Sequence, residues 1–286
     1  MKHRFRPLGP RARLSIAVAA TTVAAASAQV ATASYVAAPE STGGPSLAES
    51  CTAGESVLMG RYFLHTTWRD TRQADGRQCV RDTRAAQGPR SDADAVAWHT
   101  DWRWSRGADD TPASAAAVLG WHWGYKSGRT GLPVRLSDGA PVTATWRYAL
   151  ADRRGTVRVG YRMWLHDQPR PGAKDRPRDE VTVWLHRSGD AAPPGEKRAT
   201  VEVAGTSWDL YRGGDGWTVH SFVPADDDAV SRAAALRSVV LTDFLAELTR
   251  RGEVAEDAYL SGVEAGTEVV SGRGRLDTES LTVRVG

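Results

Sequence analysis

The chain has 286 residues, about 41% hydrophobic and 25% charged, an ordinary globular composition that excludes a disordered or fibrous protein. Its 37 Lys and Arg exceed its 34 Asp and Glu. Five of those basic residues and no acidic ones lie in residues 1–33, so the rest carries 32 basic against 34 acidic residues and offers no reason to expect nucleic-acid binding.

The first element in chain order is a leader. Lys2, Arg4, Arg6, Arg11 and Arg13 precede an apolar, alanine-rich run from Leu14 to Ala26, and small residues then offer cleavage at Ala26-Ser27-Ala28 or Ala31-Thr32-Ala33. That is the pattern of a secretory signal, and the run is too short to span a bilayer as a stable helix. Residues 1–33 are read as this signal, and the rest as a secreted chain with no membrane segment. Residues 34–50, with Pro39, Gly43, Gly44 and Pro45, read as a flexible lead-in to one domain over 51–286. Cys51 and Cys79 are the only cysteines. In an exported protein they are expected to form one disulfide, stabilising by roughly 3–4 kcal/mol in the chain-entropy model. Two cysteines cannot complete a tetrahedral zinc site, and the seven histidines show no ligand spacing, so neither metal nor cofactor is expected.

Beyond Cys51 the chain is dominated by short segments that alternate apolar and polar residues, among them Val142–Tyr148, Val157–Leu165, Val181–Leu185, Val201–Val203, Thr218–Val223 and Leu281–Val285. Turn-forming clusters separate them at Gly131–Pro133, Ser137–Pro141, Gly213–Gly216 and Gly272–Gly274. Many short strands with regular turns predict an all-β sandwich. One stretch departs from this pattern. Asp226-Asp227-Asp228 offers a helix cap, Val240, Leu241, Phe244, Leu245 and Leu248 recur at helical spacing, and Gly252 follows. This predicts one amphipathic helix packed on the sandwich.

Strand alternation also locates a face that is not core. In Val157–Leu165 the odd positions Val157, Val159, Tyr161, Met163 and Leu165 are apolar, which turns Arg158, Gly160, Arg162 and Trp164 the other way. In Glu180–Leu185 the apolar Val181, Val183 and Leu185 turn inward and leave Glu180, Thr182 and Trp184 on the opposite surface. An exposed Trp beside a Glu calls for a flat apolar ligand face, and pyranose rings present one. The bias of 11 Trp against 4 Phe points the same way, although most of the cluster Trp98, Trp102, Trp104, Trp121 and Trp123 is read as core.

Several segments together resemble the family 12 glycoside hydrolases, the small endo-β-glucanases and xyloglucanases. Ala258-Tyr259-Leu260-Ser261-Gly262-Val263-Glu264-Ala265-Gly266-Thr267-Glu268 is similar to that family's strand bearing the acid/base glutamate. Asp179-Glu180-Val181-Thr182-Val183-Trp184-Leu185 is similar to the strand bearing its nucleophile. Trp98 to Ser105, Gly205 to Tyr211, His220 to Val223 and, at the front, Tyr62 to Trp68 followed by Gln78-Cys79-Val80 stand in the family's order. The resemblance implies an all-β jelly roll of two curved antiparallel sheets with a concave substrate groove. It implies retaining hydrolysis of β-1,4-linked glucan, with Glu180 as nucleophile and Glu268 as acid/base, their carboxyls about 5–5.5 Å apart. Trp68 is the expected sugar platform, with Trp184, Thr182, Arg162 and Glu264 as further substrate-binding residues. The implied partner is a β-glucan polysaccharide, bound by a monomer.

The departures from the family pattern are specific. Tyr161-Arg162-Met163-Trp164 stands where the family has Tyr-Asp-Leu-Phe, so an arginine replaces the aspartate that bonds the nucleophile. Thr182 replaces a Met, His65-Thr66 an Asn pair, and Val269-Val270 a Pro-Phe. Arg162 is expected to reach Glu180 unless a bulge turns it away. A non-catalytic glucan-binding protein on the same fold is the alternative reading.

Overall fold

The computed structural model describes residues 49–67, 76–83, 94–105, 112–172, 174–214, 216–236 and 238–286. The expected signal, most of the lead-in and the sugar platform Trp68 lie outside these residues.

Strand β1 (Glu49–Ser50) is followed by β2 (Ser56–Met59), β3 (Tyr62–Thr67), β4 (Gly76–Asp82) and β5 (Val96–Trp104). Next come β6 (Ala113–His122), the short β7 (Tyr125–Lys126) and β8 (Val134–Arg135). The long β9 (Val142–Arg154) leads into β10 (Val157–His166), and β11 (Asp179–Ser188) follows. The last part contains β12 (Glu196–Val203), β13 (Thr206–Gly213), β14 (Thr218–Pro224), α1 (Asp227–Ala235), β15 (Ser238–Val240), α2 (Leu241–Arg250), β16 (Tyr259–Val269) and β17 (Gly272–Val285).

These strands form two sheets. The smaller has the order β1-β4-β5-β17-β9-β15. The larger runs β12-β13-β14-β11-β10-β16-β6-β3-β2, with β7 paired to β6 and β8 to β16. Consecutive β9 and β10 belong to opposite sheets, as the all-β sandwich reading requires. Among the described residues the ladders are antiparallel except for β11 and β14, which run parallel with Asp179 opposite Thr218 and Glu180 opposite Val219.

The core lies between the sheets. Val157, Val159, Tyr161, Met163 and Leu165 of β10 and Val181, Val183 and Leu185 of β11 all enter it, as the period of two demands. Trp98 and Trp146 from the smaller sheet stack within it, ring centroids 6.1 Å apart. Each fully buried side chain of this size contributes about 1.5–3 kcal/mol. Cys51 and Cys79 form the expected disulfide.

Two details differ from the sequence reading. Gly272–Gly274 is not a turn but the start of β17, paired with β5 and β9, and glycine stands there because backbone and ring crowd the position. A Cβ on Gly272 would lie 1.9 Å from the carbonyl oxygen of Arg154, and one on Gly274 2.4 Å from the Trp102 ring. The cap and the apolar stripe belong to different helices. The Asp226 carboxylate accepts the Ala229 N–H at the start of α1. The amphipathic helix is α2, which buries Leu241, Phe244, Leu245 and Leu248. Between them the β-branched Val239 and Val240 pair with β9 instead, as their strand preference favours. Phe244 anchors α2 edge-on against Trp208 and Phe222 of β13 and β14, with centroids 5.5 and 5.0 Å away.

Candidate active site

Three neighbouring strands of the larger sheet carry the site on the face turned from the core. β10 is central, β11 lies on one side and β16 on the other. Arg162 of β10 stands opposite Thr182 on β11 and Glu264 on β16. Register shifts occur between Val159 and Gly160 on the β11 side and between Trp164 and Leu165 on the β16 side. Both fall outside the stretch that aims Arg162, so the arginine keeps its predicted direction. Gly160 sits at the first shift, where a Cβ would come 2.0 Å from the Val183 carbonyl oxygen.

One guanidinium joins three carboxylates. Arg162 Nε lies 2.8 Å from Glu180 Oε1, Nη1 lies 3.3 Å from Glu264 Oε2, and Nη2 contacts Glu268 Oε1. Because the same guanidinium touches both, the nearest oxygens of Glu180 and Glu268 lie within about 8 Å of each other. Arg158 stands opposite Glu268 on β16 and contacts its Oε2 through Nε. The Arg158 guanidinium also covers the Trp184 ring at 4.9 Å, a cation–π arrangement. An open cleft beside these groups is lined by Arg158, Arg162, Thr182, Trp184, Glu264 and Glu268 among others.

Each carboxylate has further partners. The Trp217 indole N–H donates to Glu180 Oε2 at 2.9 Å. Glu264 Oε1 receives the Trp164 indole N–H at 2.5 Å and lies 2.6 Å from His122 Nδ1. Burial alone would raise the Glu264 carboxyl. The charge and hydrogen bond of His122, then Arg162 and Trp164, override it and hold it at about 2. Burial opposes the charge of Arg162, but Glu180 and Glu264 more than offset this and raise it above its ordinary value. Burial and the charge of Arg162 pull Arg158 down to about 10 against the pull of Glu180; it remains a cation at any working pH. His65 is pushed down to about 4 by burial first and then by His122.

A depressed carboxyl contributes stability that is fully present above its unfolded value and is lost as pH falls through the folded one. Glu264→Gln is therefore expected to destabilise the protein by about 3 kcal/mol at pH 6–7, with the difference shrinking as pH falls from about 4.5 toward 2. Denaturant unfolding of both proteins across pH 2–7 checks this. A difference independent of pH would show that packing, not charge, is what Glu264 contributes.

The structure gathers Glu180, Glu268, Arg162, Glu264, Thr182 and Trp184 at one place, but two predicted roles change. Trp184 was expected on the surface as a stacking platform. It is 2% exposed, because Arg158 covers its ring and its N–H is bonded to Thr182 Oγ1 at 3.1 Å. Glu264, also 2% exposed, spends both oxygens on His122, Trp164 and Arg162 and so anchors the arginine rather than facing a ligand. The Thr182 hydroxyl is shared between Trp184 and Ser221. Sequence reasoning missed Arg158, His122 and Trp217. Alternation already put Arg158 on the face of Arg162, four residues away, which was a usable signal. Nothing local marked His122 or Trp217.

Comparison with known proteins bears on the fold. The pattern of glycosyl hydrolase family 12 matches residues 60–286. Endoglucanase S of Pectobacterium parmentieri is 30% identical over 199 residues, covering 67% of this chain and 72% of its own. A xyloglucan-specific endo-beta-1,4-glucanase A of Aspergillus niger is 30% identical over 227 residues, covering 78% and 84%. Among solved structures, the native family 12 xyloglucanase from Bacillus licheniformis superposes with a TM-score of 0.69 at 25% identity, over 84% of this chain and 100% of that one.

Proposed function

Since the chain belongs to glycosyl hydrolase family 12, we propose that it cuts β-1,4-linked glucan chains internally, with retention at the anomeric carbon. The observation that carries this reading is the convergence of Glu180 and Glu268 on one guanidinium from the strands flanking β10. Their separation of less than about 8 Å is compatible with the spacing of about 5–5.5 Å that retention uses. In this reading the ionised Glu180 attacks the anomeric carbon while Glu268 protonates the departing glycosidic oxygen. Water, activated by Glu268 as base, then releases the glycosyl-enzyme. The relatives named as endoglucanase and xyloglucan-specific glucanase support a cellulose-type or xyloglucan backbone as substrate. The basic and apolar leader supports export.

Arg162 sets a condition on this chemistry. Arg162 and Arg158 both sit on the Glu268 carboxylate, so in this reading they turn aside from it before Glu268 meets a glycosidic oxygen. Arg162 has a resting place in that event, since Glu264 Oε2 is held beside it by His122 and Trp164 at the other oxygen.

The same observation favours a second reading, in which Arg162 stays between the glutamates and the protein binds glucan without cutting it. The mature protein, assayed on carboxymethyl-cellulose, mixed-linkage β-glucan and xyloglucan, is expected to release reducing ends from at least one. Release from none, together with sedimentation on insoluble glucan, would establish the binding protein instead.

A further inference from the structure

Glu180 has two oxygens and two partners of different character, an ion pair and a hydrogen bond. Arg162 approaches Oε1 from the side of the cavity it helps to line. Trp217, half-buried just before β14, donates to Oε2. This donor belongs to a different segment of chain from Arg162 and approaches a different oxygen, so it does not depend on the arginine staying. We propose that Trp217 is the positioning residue of Glu180, holding one carboxylate oxygen so that the other meets the anomeric carbon. The inference rests on the reading of Glu180 as nucleophile.

The fold fixes this indole at several points. Trp217 immediately precedes β14, whose parallel pairing sets Thr218 opposite Asp179 and Val219 opposite Glu180. The Thr218 N–H donates to the Arg178 carbonyl at 3.1 Å, which ties the chain next to Trp217 to the residue two before Glu180. Gly214 and Gly216 take φ of 113° and 93°, so the turn from β13 delivers Trp217 in a conformation that other residues reach only with strain. Trp123 and Trp164 wall the ring at centroid distances of 5.4 and 6.1 Å. A walled indole has few rotamers, so its N–H points at Oε2 before any ligand arrives. That is the preorganisation which orientation of a reacting group requires.

The chemistry suits the position. An indole N–H only donates and does not titrate over the working range. It orients a carboxylate without the full opposing charge of a guanidinium, whose charge-assisted bonds are about twice as strong. In the family pattern an aspartate bonds the nucleophile, and here that position is Arg162. An orienting contact that survives withdrawal of Arg162 must come from elsewhere, and Trp217 is the donor on Oε2.

The test uses the mature chain and 2-deoxy-2-fluoro-β-cellobiosyl fluoride. A Glu180 oxygen forms the bond to the anomeric carbon, the carbon–fluorine bond breaks, and fluoride leaves without needing a proton from Glu268. The fluorine at C2 slows hydrolysis, so the glycosyl-enzyme accumulates and mass spectrometry locates it. In the unsubstituted protein the label is expected on Glu180. In Trp217→Phe, which keeps a ring against Trp123 and Trp164, the inactivation rate at saturating reagent is expected to fall roughly ten- to hundredfold. The half-saturating concentration is expected to stay within about twofold. Replacing Trp217 by 3-benzothienylalanine, which exchanges N–H for sulfur at nearly constant size, should show the same loss and serves if the Phe variant does not fold. Inactivation of the benzothienyl variant at the unsubstituted rate would overturn the proposal. So would a loss confined to reagent binding, since that describes a sugar contact. Label on another residue, or on none, in the unsubstituted protein would overturn the nucleophile assignment itself.

Discussion

Glu180→Gln is expected to lower hydrolysis of every glucan by about 10⁴-fold or more, the scale seen when a nucleophile is removed. The amide is nearly the size of the carboxylate and can still accept the Trp217 N–H now found at 2.9 Å, so the site keeps its shape. It is neutral and cannot form the covalent intermediate. Glu268→Gln provides the matching experiment. It removes the proposed proton donor, so hydrolysis of natural glucan should collapse, while formation of the intermediate from an aryl cellobioside with a dinitrophenolate leaving group should be largely spared. Steady-state rates on carboxymethyl-cellulose and the initial burst of dinitrophenolate from 2,4-dinitrophenyl β-cellobioside separate the roles. Glu180→Gln should be inactive on both. Activity above about 1% of the unsubstituted enzyme on either substrate would place the nucleophile elsewhere, because an amide cannot replace it.

Arg162→Asp restores the residue that the family pattern carries, yet it is expected to damage this protein. Arg162 contacts Glu180, Glu264 and Glu268, and Glu264 is held at about 2 with help from that charge. An aspartate would remove the shared cation and add a fourth carboxyl to the cluster. Breaking a buried ion network in this way destabilises by about 3–5 kcal/mol, which for a domain of this size lowers Tm by roughly 10 °C. Activity should fall with it. The double variant Arg162→Asp/Glu264→Gln should recover part of the lost stability, since the second change removes one of the stranded charges, and the two effects should fail to add. Scanning calorimetry and rates on carboxymethyl-cellulose check both. A faster enzyme with unchanged Tm would mean that Arg162 only obstructs a site otherwise built in the usual way.

Much of the site was legible because side chains on a strand alternate with a period of two whatever surrounds them. That local geometry put Arg162, Glu180 and Thr182 on the face away from the core, and Val157, Tyr161 and Val183 inside it. The lone cysteine pair allowed one disulfide, and the ordered motifs around Glu180 and Glu268 pointed to the family. Local geometry also misled where crowding or burial decided the outcome. Gly272–Gly274 looked like a turn, and Trp184 looked like an open platform.

The sequence by itself thus determined which residues share a face, because alternation follows from the covalent backbone. Only the tertiary structure decided which faces meet. Core packing sets the neighbours and register of β10, β11 and β16, and that register brings Glu180 and Glu268 to one guanidinium. His122 pairs with Glu264 across 142 residues of chain and Trp217 with Glu180 across 37, contacts for which no spacing rule exists. Arg158 closes over Trp184 because both protrude from adjacent strands into the same small cleft. A contact between side chains distant along the chain depends on the whole sandwich being assembled, and so it is written in the packing rather than in any one segment.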